Sequence, residues 1–433
     1  MYKLPEKFIE KMKKQLPPSE WEAFFAVYEK EPYKAVRVNP LKLTAEEFIK
    51  ISPYALRKVA WAKNAYYVTE EKVGAHPYHF AGLFYSQEPS ATCAVPLLGI
   101  EKGDRVLDLC AAPGGKSTQI AGELLGTGLL VSNELVFSRA QILSGNIERL
   151  GVKNAVVTSE TPARLSAFFG GYFDKILVDA PCSGEGMFRK NAEEAYAEWS
   201  EENVELCVRR QAEILDEATK MLRTGGRLVY STCTFSVEED EEQIAAYLKK
   251  HPEMRLVKTE KLYPHRVEGE GHFAALLEKA DGGERERVKP IKAKCGGASE
   301  KLWQEFRKQT LLTDYETVYE GGGALYALPN GVFDWRGLNV LRVGVRLGEV
   351  RGGRFEPSHA LAMSLKKEEC TNVLALTLAD GRTEKFLRGE EIEAEEVKKG
   401  WCLVCVDGYS VGWGKASGGR VKNHIPKALR KVK

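Results

Sequence analysis

Residues 106–117 read VLDLCAAPGGKS. A short apolar run carries Asp108, a loop of Ala111, Ala112, Pro113, Gly114 and Gly115 follows, and Lys116 opens a helix-like stretch, KSTQIAGELL. A buried strand that turns through a glycine loop into a helix is the first unit of a doubly wound α/β domain. Such domains take small ligands at the carboxyl ends of their strands. Downstream, strand and helix patterns alternate to about residue 279. LLVSN is a second strand with Glu134 just past its end, NAVVT a third, KILVD a fourth ending at Asp179, and RLVYST a fifth ending at Ser231 and Thr232. MRLV and HFAALLE read as a closing antiparallel pair, which makes a seven-stranded Rossmann-like layer. ENVELCVRRQAEILDEATKMLRTGG is a long helix expected to stop at Gly225 and Gly226. SVEEDEEQIAAYLKKHP is expected to be a helix with acidic first turns, starting within a few residues of Cys233.

The remainder divides by pattern. With 433 residues, two to four domains are expected. Residues 1–80 read as a small α/β domain, with Ser19 and Glu22, and Thr44 and Glu47, spaced as capping boxes. Its lysines among aromatics fit either a solvated helical face or a nucleic-acid surface. Residues 81–280 form the core, and 281–345 a linker and middle domain, beginning with the charged, glycine-rich DGGERERVKPIKAKCGG. Residues 346–433 carry short strands at turn-like spacing, the mark of a small β-rich domain or closed barrel. Hydrophobic residues make up 43% and charged residues 29%, ordinary for a globular chain, and the net charge is +2. The charge is uneven: Lys415, Arg420, Lys422, Lys427, Arg430, Lys431 and Lys433 form a basic tail without an acid. No apolar run approaches the ~20 residues of a membrane span, and the first residues lack the apolar core of a signal peptide. A cytoplasmic protein without membrane contact is expected. Nine scattered cysteines fit reduced thiols.

Three motifs fall at strand ends on one rim. The first lacks the G-x-G-x-x-G of a dinucleotide site. Its glycine loop, with Glu134 placed to accept from a ribose diol, suits a nucleoside without a pyrophosphate, such as S-adenosylmethionine; a generic turn with a surface glutamate is the bland alternative. The second is Asp179-Ala180-Pro181-Cys182-Ser183-Gly184, where an acid before a rigid turn can meet the edge of a cytosine. The third is Ser231-Thr232-Cys233-Thr234. Most cysteines are small buried hydrophobes, but two on adjacent strand ends of a ligand rim are harder to dismiss. Cys402 and Cys405 lie in an apolar, strand-like run without a second pair, so no metal site is expected. One chemistry links these parts. Addition of a thiolate to C6 of cytosine turns the ring into an enamine whose C5 accepts a methyl group, and an acid at N3 makes C6 more electrophilic.

DLCAAPGGKSTQIA, VDAPCSGEGMFRK and YSTCTFSVEEDEEQI resemble the signatures of the Nop/Sun family of RNA cytosine-5 methyltransferases, as do VRVNPLK and SQEPSA upstream. LGEVRGGRFEPSHALA and GGRVKNHIPKALR are similar to the added domains of its bacterial rRNA branch, the last being PUA-like. The resemblance implies that Cys110, Ala111, Ala112, Pro113, Gly114, Gly115 and Lys116 hold S-adenosylmethionine. Glu134 would lie on its ribose, with Asp179 near both cofactor and base. It further implies that Cys233 is the nucleophile, that Cys182 assists release of the product, and that Lys116 lies near the reacting centre. Thr161 stands where many members carry an Asp near the adenine, with Glu160 beside it. The implied partner is small-subunit (16S) rRNA or an assembling subunit. The alternatives are a tRNA cytosine, or a non-catalytic RNA-binding assembly factor. A DNA cytosine methyltransferase fits less well, since those enzymes use the PC-type cysteine and a large recognition insert that this chain lacks.

Overall fold

The computed structural model describes residues 4–190, 192–280 and 288–431. Its centre is a sheet of strands β1 (Arg105–Asp108), β2 (Leu129–Asn133), β3 (Ala155–Thr158), β4 (Phe173–Asp179), β5 (Leu222–Thr232), β6 (Met254–Leu262), β7 (His272–Lys279) and β8 (Val340–Val343). The order is β6-β7-β5-β4-β1-β2-β3-β8. β1 to β5 run parallel, and β6, β7 and β8 join antiparallel. Alternate residues explain the burial. Leu107, Val131, Val156 and Ile176 enter one apolar cluster, while Val106, Leu130, Val157 and Leu177 enter the other. Both faces are therefore covered, as parallel sheets require. Strand order reverses between β1 and β4, which opens a crevice at their carboxyl ends.

The seven expected strands are all present. An eighth comes from the segment read as linker and middle domain: Val340 pairs with Thr158 and Val343 with Val156. Of the charged stretch, residues 281–287 lie outside the described residues. Beyond them, Val288 and Ile291 pack on the core's large cluster, and Ile291 donates its N–H to the Val332 carbonyl.

Helices α1 (Gly115–Leu124), α2 (Phe137–Arg149), α3 (Glu201–Met221) and α4 (Glu241–Lys250) flank the sheet. Two boundaries differ from expectation. α3 ends at Met221, and the chain enters β5 at once, running through Gly225 and Gly226. A Cβ on Gly226 would stand 2.7 Å from Leu222 Cδ1 and 2.9 Å from the Arg223 carbonyl oxygen, so this glycine serves close strand passage rather than helix termination. α4 begins at Glu241, not at Ser236, because Glu239 and Asp240 turn inward to accept from the Ser183 and Thr232 hydroxyls at the strand ends.

In the amino-terminal part, Thr44 and Glu47 form their capping box, whereas the helix Trp21–Ala26 has no side-chain cap. A four-stranded sheet contains Lys34–Val38 at its centre and takes Phe84–Gln87 as an edge strand. The first helix, Glu6–Gln15, leaves that sheet and packs Phe8 and Met12 with Phe188, Trp199 and Phe235. The carboxyl-terminal part holds a four-stranded and a five-stranded sheet. Cys402 and Cys405 are fully buried there in different apolar clusters. Among the described residues no helix is long and apolar enough to cross a membrane.

Candidate active site

The loop after β1 is held from both sides. The Ala111 N–H donates to the Asn133 carbonyl, Asn146 Nδ2 to the Pro113 carbonyl, and Arg37 to the Gly115 carbonyl. Gly114 has φ 111° at the start of α1, a left-handed conformation that favours glycine. Asp108 is fully buried; Ser117 donates to its Oδ2 at 2.6 Å, while Oδ1 has no partner among the described residues. Burial pushes its carboxyl up to about 7, with the Ser117 hydrogen bond pulling the other way. Glu134 sits past β2 and is 5% exposed; its Oε1 accepts the Val136 N–H, and Arg139 lies 3.8 Å from Oε2. An orphaned buried carboxylate oxygen beside a glycine loop, with a second carboxylate at the next strand end, fits a polar ligand carrying an amine and a diol.

Lys116 and Asp179 meet across the crevice, with Nζ 2.7 Å from Oδ2. The Lys116 side chain is 9% exposed and that of Asp179 31%, so the carboxylate is the member that faces the opening. Burial disfavours both charges, but each outweighs that for its partner. Asp179 stays below the usual carboxylate range, and Lys116 rises above the usual ammonium value. Asp179 Oδ1 accepts from Ser231 Oγ at 2.9 Å.

Cys182 and Cys233 stand beside this pair, their Sγ atoms 3.4 Å apart. The Cys233 contact, then burial, pushes the Cys182 thiol well up, so Cys182 stays protonated. Two buried acids fix the cysteine turns. Glu239 accepts from the Ser183 N–H at 2.9 Å, from Ser183 Oγ and from Gln211 at 3.0 Å, and Ser183 Oγ also meets Thr234 Oγ1. Glu185 accepts the Phe235 N–H and the Trp199 indole N–H. The Gly186 N–H donates to the Cys233 carbonyl at 2.9 Å. From the first helix, Lys11 reaches Ser236 and Glu238, and Gln15 donates to the Phe235 carbonyl.

The four residues Lys116, Asp179, Cys182 and Cys233 thus converge, with the Cys110–Gly115 loop and Glu134 along the same rim. Cys233 does not sit at a helix amino terminus, since α4 starts eight residues later. Glu160 is engaged elsewhere: its carboxylate accepts the Asn339 N–H and pairs with Arg164, and Thr161 caps the short helix that follows. Sequence patterns missed Glu185, Glu239 and His272. The first two carried the signal of acids inside or beside a motif, SGEG and SVEED, and a dipole argument absorbed Glu239.

With this geometry in view, the comparisons are specific. A family model for 16S rRNA methyltransferase RsmB/F matches residues 95–278. Models for the N-terminal domain, the first C-terminal domain and the PUA domain of RsmF match residues 4–89, 304–365 and 373–431. The ribosomal RNA small subunit methyltransferase F of Vibrio parahaemolyticus is 31% identical, covering 98% of this chain and 97% of its own length. This chain belongs to the RsmF family of methyltransferases. The RsmF-family relative in Shewanella piezotolerans is likewise 31% identical, over 99% and 98% of the two chains. Among solved structures, a methyltransferase homolog protein from Pyrococcus horikoshii shares 26% identity with a TM-score of 0.58, covering 64% of this chain and 96% of that one. NSun6 from the same organism, at 23% identity and TM-score 0.58, shares the fold.

Proposed function

We propose that this RsmF-family enzyme transfers a methyl group from S-adenosylmethionine to C5 of a cytosine in small-subunit (16S) rRNA, through a covalent adduct between Cys233 and C6. The observation that carries this reading is the juxtaposition of two thiols 3.4 Å apart with a buried lysine–aspartate pair on one strand-end rim. S-adenosylmethionine supplies an electrophilic methyl group on a sulfonium. The loop Cys110, Ala111, Ala112, Pro113, Gly114 and Gly115 would hold it, with Lys116, Asp179 and the Asp108 Oδ1 near its polar end and Glu134 on its ribose.

The chain's own residues then do the following. Asp179 accepts a hydrogen bond from the N4 amine of the cytosine, and the Lys116 ammonium keeps that carboxylate ionised. The Cys233 thiolate adds to C6, forming an S–C6 bond and making C5 nucleophilic. Once C5 carries the methyl group, its proton leaves to a base. Elimination then breaks the S–C6 bond and returns the Cys233 thiolate. Cys182, held as a thiol beside it, assists this release. A cytosine reaching this rim must leave its stack. In this reading residues 1–80 and the PUA-like residues 346–433 are RNA-binding flanks of the core 81–280, joined through 281–345.

The test is incubation of the protein with labelled S-adenosylmethionine and small-subunit RNA or subunits, read as 5-methylcytosine. Wild type is expected to methylate and Cys233→Ala is not. Cys182→Ala is expected to accumulate an RNA adduct on a denaturing gel. Absence of 5-methylcytosine with wild type and Cys233→Ala alike would overturn the reading.

A further inference from the structure

His272 opens β7, and the pairing of its neighbour Phe273 with Thr232 sets it across from the Cys233 turn. Its side chain is 2% exposed, and among the described residues neither ring nitrogen has a hydrogen-bond partner. Asp179 Oδ1 lies 3.9 Å from Nε2. Burial, then the Lys116 charge, pushes His272 down to about 3, so the ring is neutral across any ordinary assay range. A neutral imidazole carries one N–H and one lone pair, and buried groups of this kind are nearly always satisfied. A ring left open beside the Asp179 carboxylate therefore suggests a contact made at another stage of turnover.

The two oxygens of Asp179 are held differently. Lys116 takes Oδ2 and Ser231 takes Oδ1. On the reading above, the cytosine edge competes with Lys116 for Asp179. We propose that His272 is a positioning residue for Asp179, donating its Nε2–H to Oδ1 when the bound base draws Oδ2 away from Lys116. The gap is about 1 Å longer than a hydrogen bond, which a small carboxylate rotation closes. The donated N–H keeps Asp179 ionised and oriented while its partner lysine is displaced. The other titratable groups around Asp179 are Lys116 from α1, Asp108 from β1, Cys110 from the following loop, Cys93 from the segment before β1, and Cys233 beyond β5. None of them is a neutral donor to Oδ1.

The experiment measures single-turnover methylation of small-subunit RNA against pH for wild type, His272→Phe and His272→Gln. Phenylalanine keeps the ring without a donor, and glutamine returns an N–H near the Nε2 position. Thermal melting confirms that each variant is folded. In His272→Phe the rate is expected to fall about tenfold at saturating RNA, and its acidic limb to move up by about one pH unit. His272→Gln is expected to recover most of the rate and the wild-type limb. In an Asp179→Asn background, His272→Phe is expected to have no further effect. An unchanged acidic limb in a folded His272→Phe variant overturns the proposal, as does a His272→Gln variant as impaired as His272→Phe. Failure of the wild type to form 5-methylcytosine overturns the functional reading instead, so the two failures are distinct.

Discussion

Gly186→Ala tests whether the cysteine pair depends on a backbone approach. A Cβ at this position would stand 2.9 Å from the Cys233 carbonyl oxygen, 3.2 Å from that of Gly271 and 3.3 Å from that of Glu270. All three neighbours are backbone atoms, so none can rotate away as a side chain would. Relief needs a shift of a few tenths of an ångström at the first contact, and the partner that moves is Cys233, the proposed nucleophile. The same shift weakens the 2.9 Å bond from the Gly186 N–H to the Cys233 carbonyl. Overpacking of this kind costs about 1–3 kcal/mol in stability. A displacement near 1 Å at a reacting atom costs about 100-fold in rate, so a few tenths of that predicts about 4- to 10-fold. Single-turnover methylation should show this loss, while calorimetric affinity for S-adenosylmethionine stays near wild type, because the Cys110–Gly115 loop lies on the other strand ends. Gly184→Ala is the control. Its φ of 73° carries a left-handed penalty of about 1 kcal/mol, but a Cβ there meets nothing within 4 Å. It should lose stability with a smaller effect on rate. A Gly186→Ala enzyme with a wild-type single-turnover rate would refute the argument that this contact sets the position of Cys233.

Further outcomes follow from the same geometry. Glu239→Ala strips the acceptor from the Ser183 N–H, Ser183 Oγ and Gln211, and should destabilise the core by about 3 kcal/mol in urea unfolding. Glu239→Gln, which keeps an acceptor, should lose about 1 kcal/mol. Because burial raises Asp108 to about 7, the stability that its neutral form confers is complete below the unfolded carboxylate value of 3.8 and declines as pH rises to about 7. Asp108→Asn should therefore gain on wild type progressively as pH rises from about 4 to about 7, read by melting at each pH, while losing affinity for S-adenosylmethionine. Lys422 and Lys427 are exposed in the carboxyl-terminal part. Replacing both with Gln should weaken RNA binding and reduce the slope of log affinity against log salt by about 1.5 to 2, measured by titration at several ionic strengths.

The motifs at the strand ends were legible from residue order alone. Apolar runs that close on Asp108, Asn133, Asp179 and Thr232 are local, and right-handed parallel connections bring all such ends to one rim. The resemblance of those motifs to a methyltransferase family ranked the two cysteines, which spacing could not do. The partners across the site belonged to tertiary structure. Lys116 and Asp179 are 63 residues apart, and Cys182 and Cys233 are 51 apart. Periodicity reports which face of an element is buried, not what it is buried against. For that reason Glu239 and Asp240 read as helix-end acids and Glu185 had no reading of its own, although all three carboxylates turn inward to hold the cysteine turns. For the same reason Val340–Val343 gave no sign that it would extend the core sheet, or Glu6–Gln15 that it would brace the loop after Cys233. His272 is the clearest case. In HFAALLE it is one polar residue at the start of a strand, and only the antiparallel register of β7 on β5 sets it, unpartnered, beside Asp179.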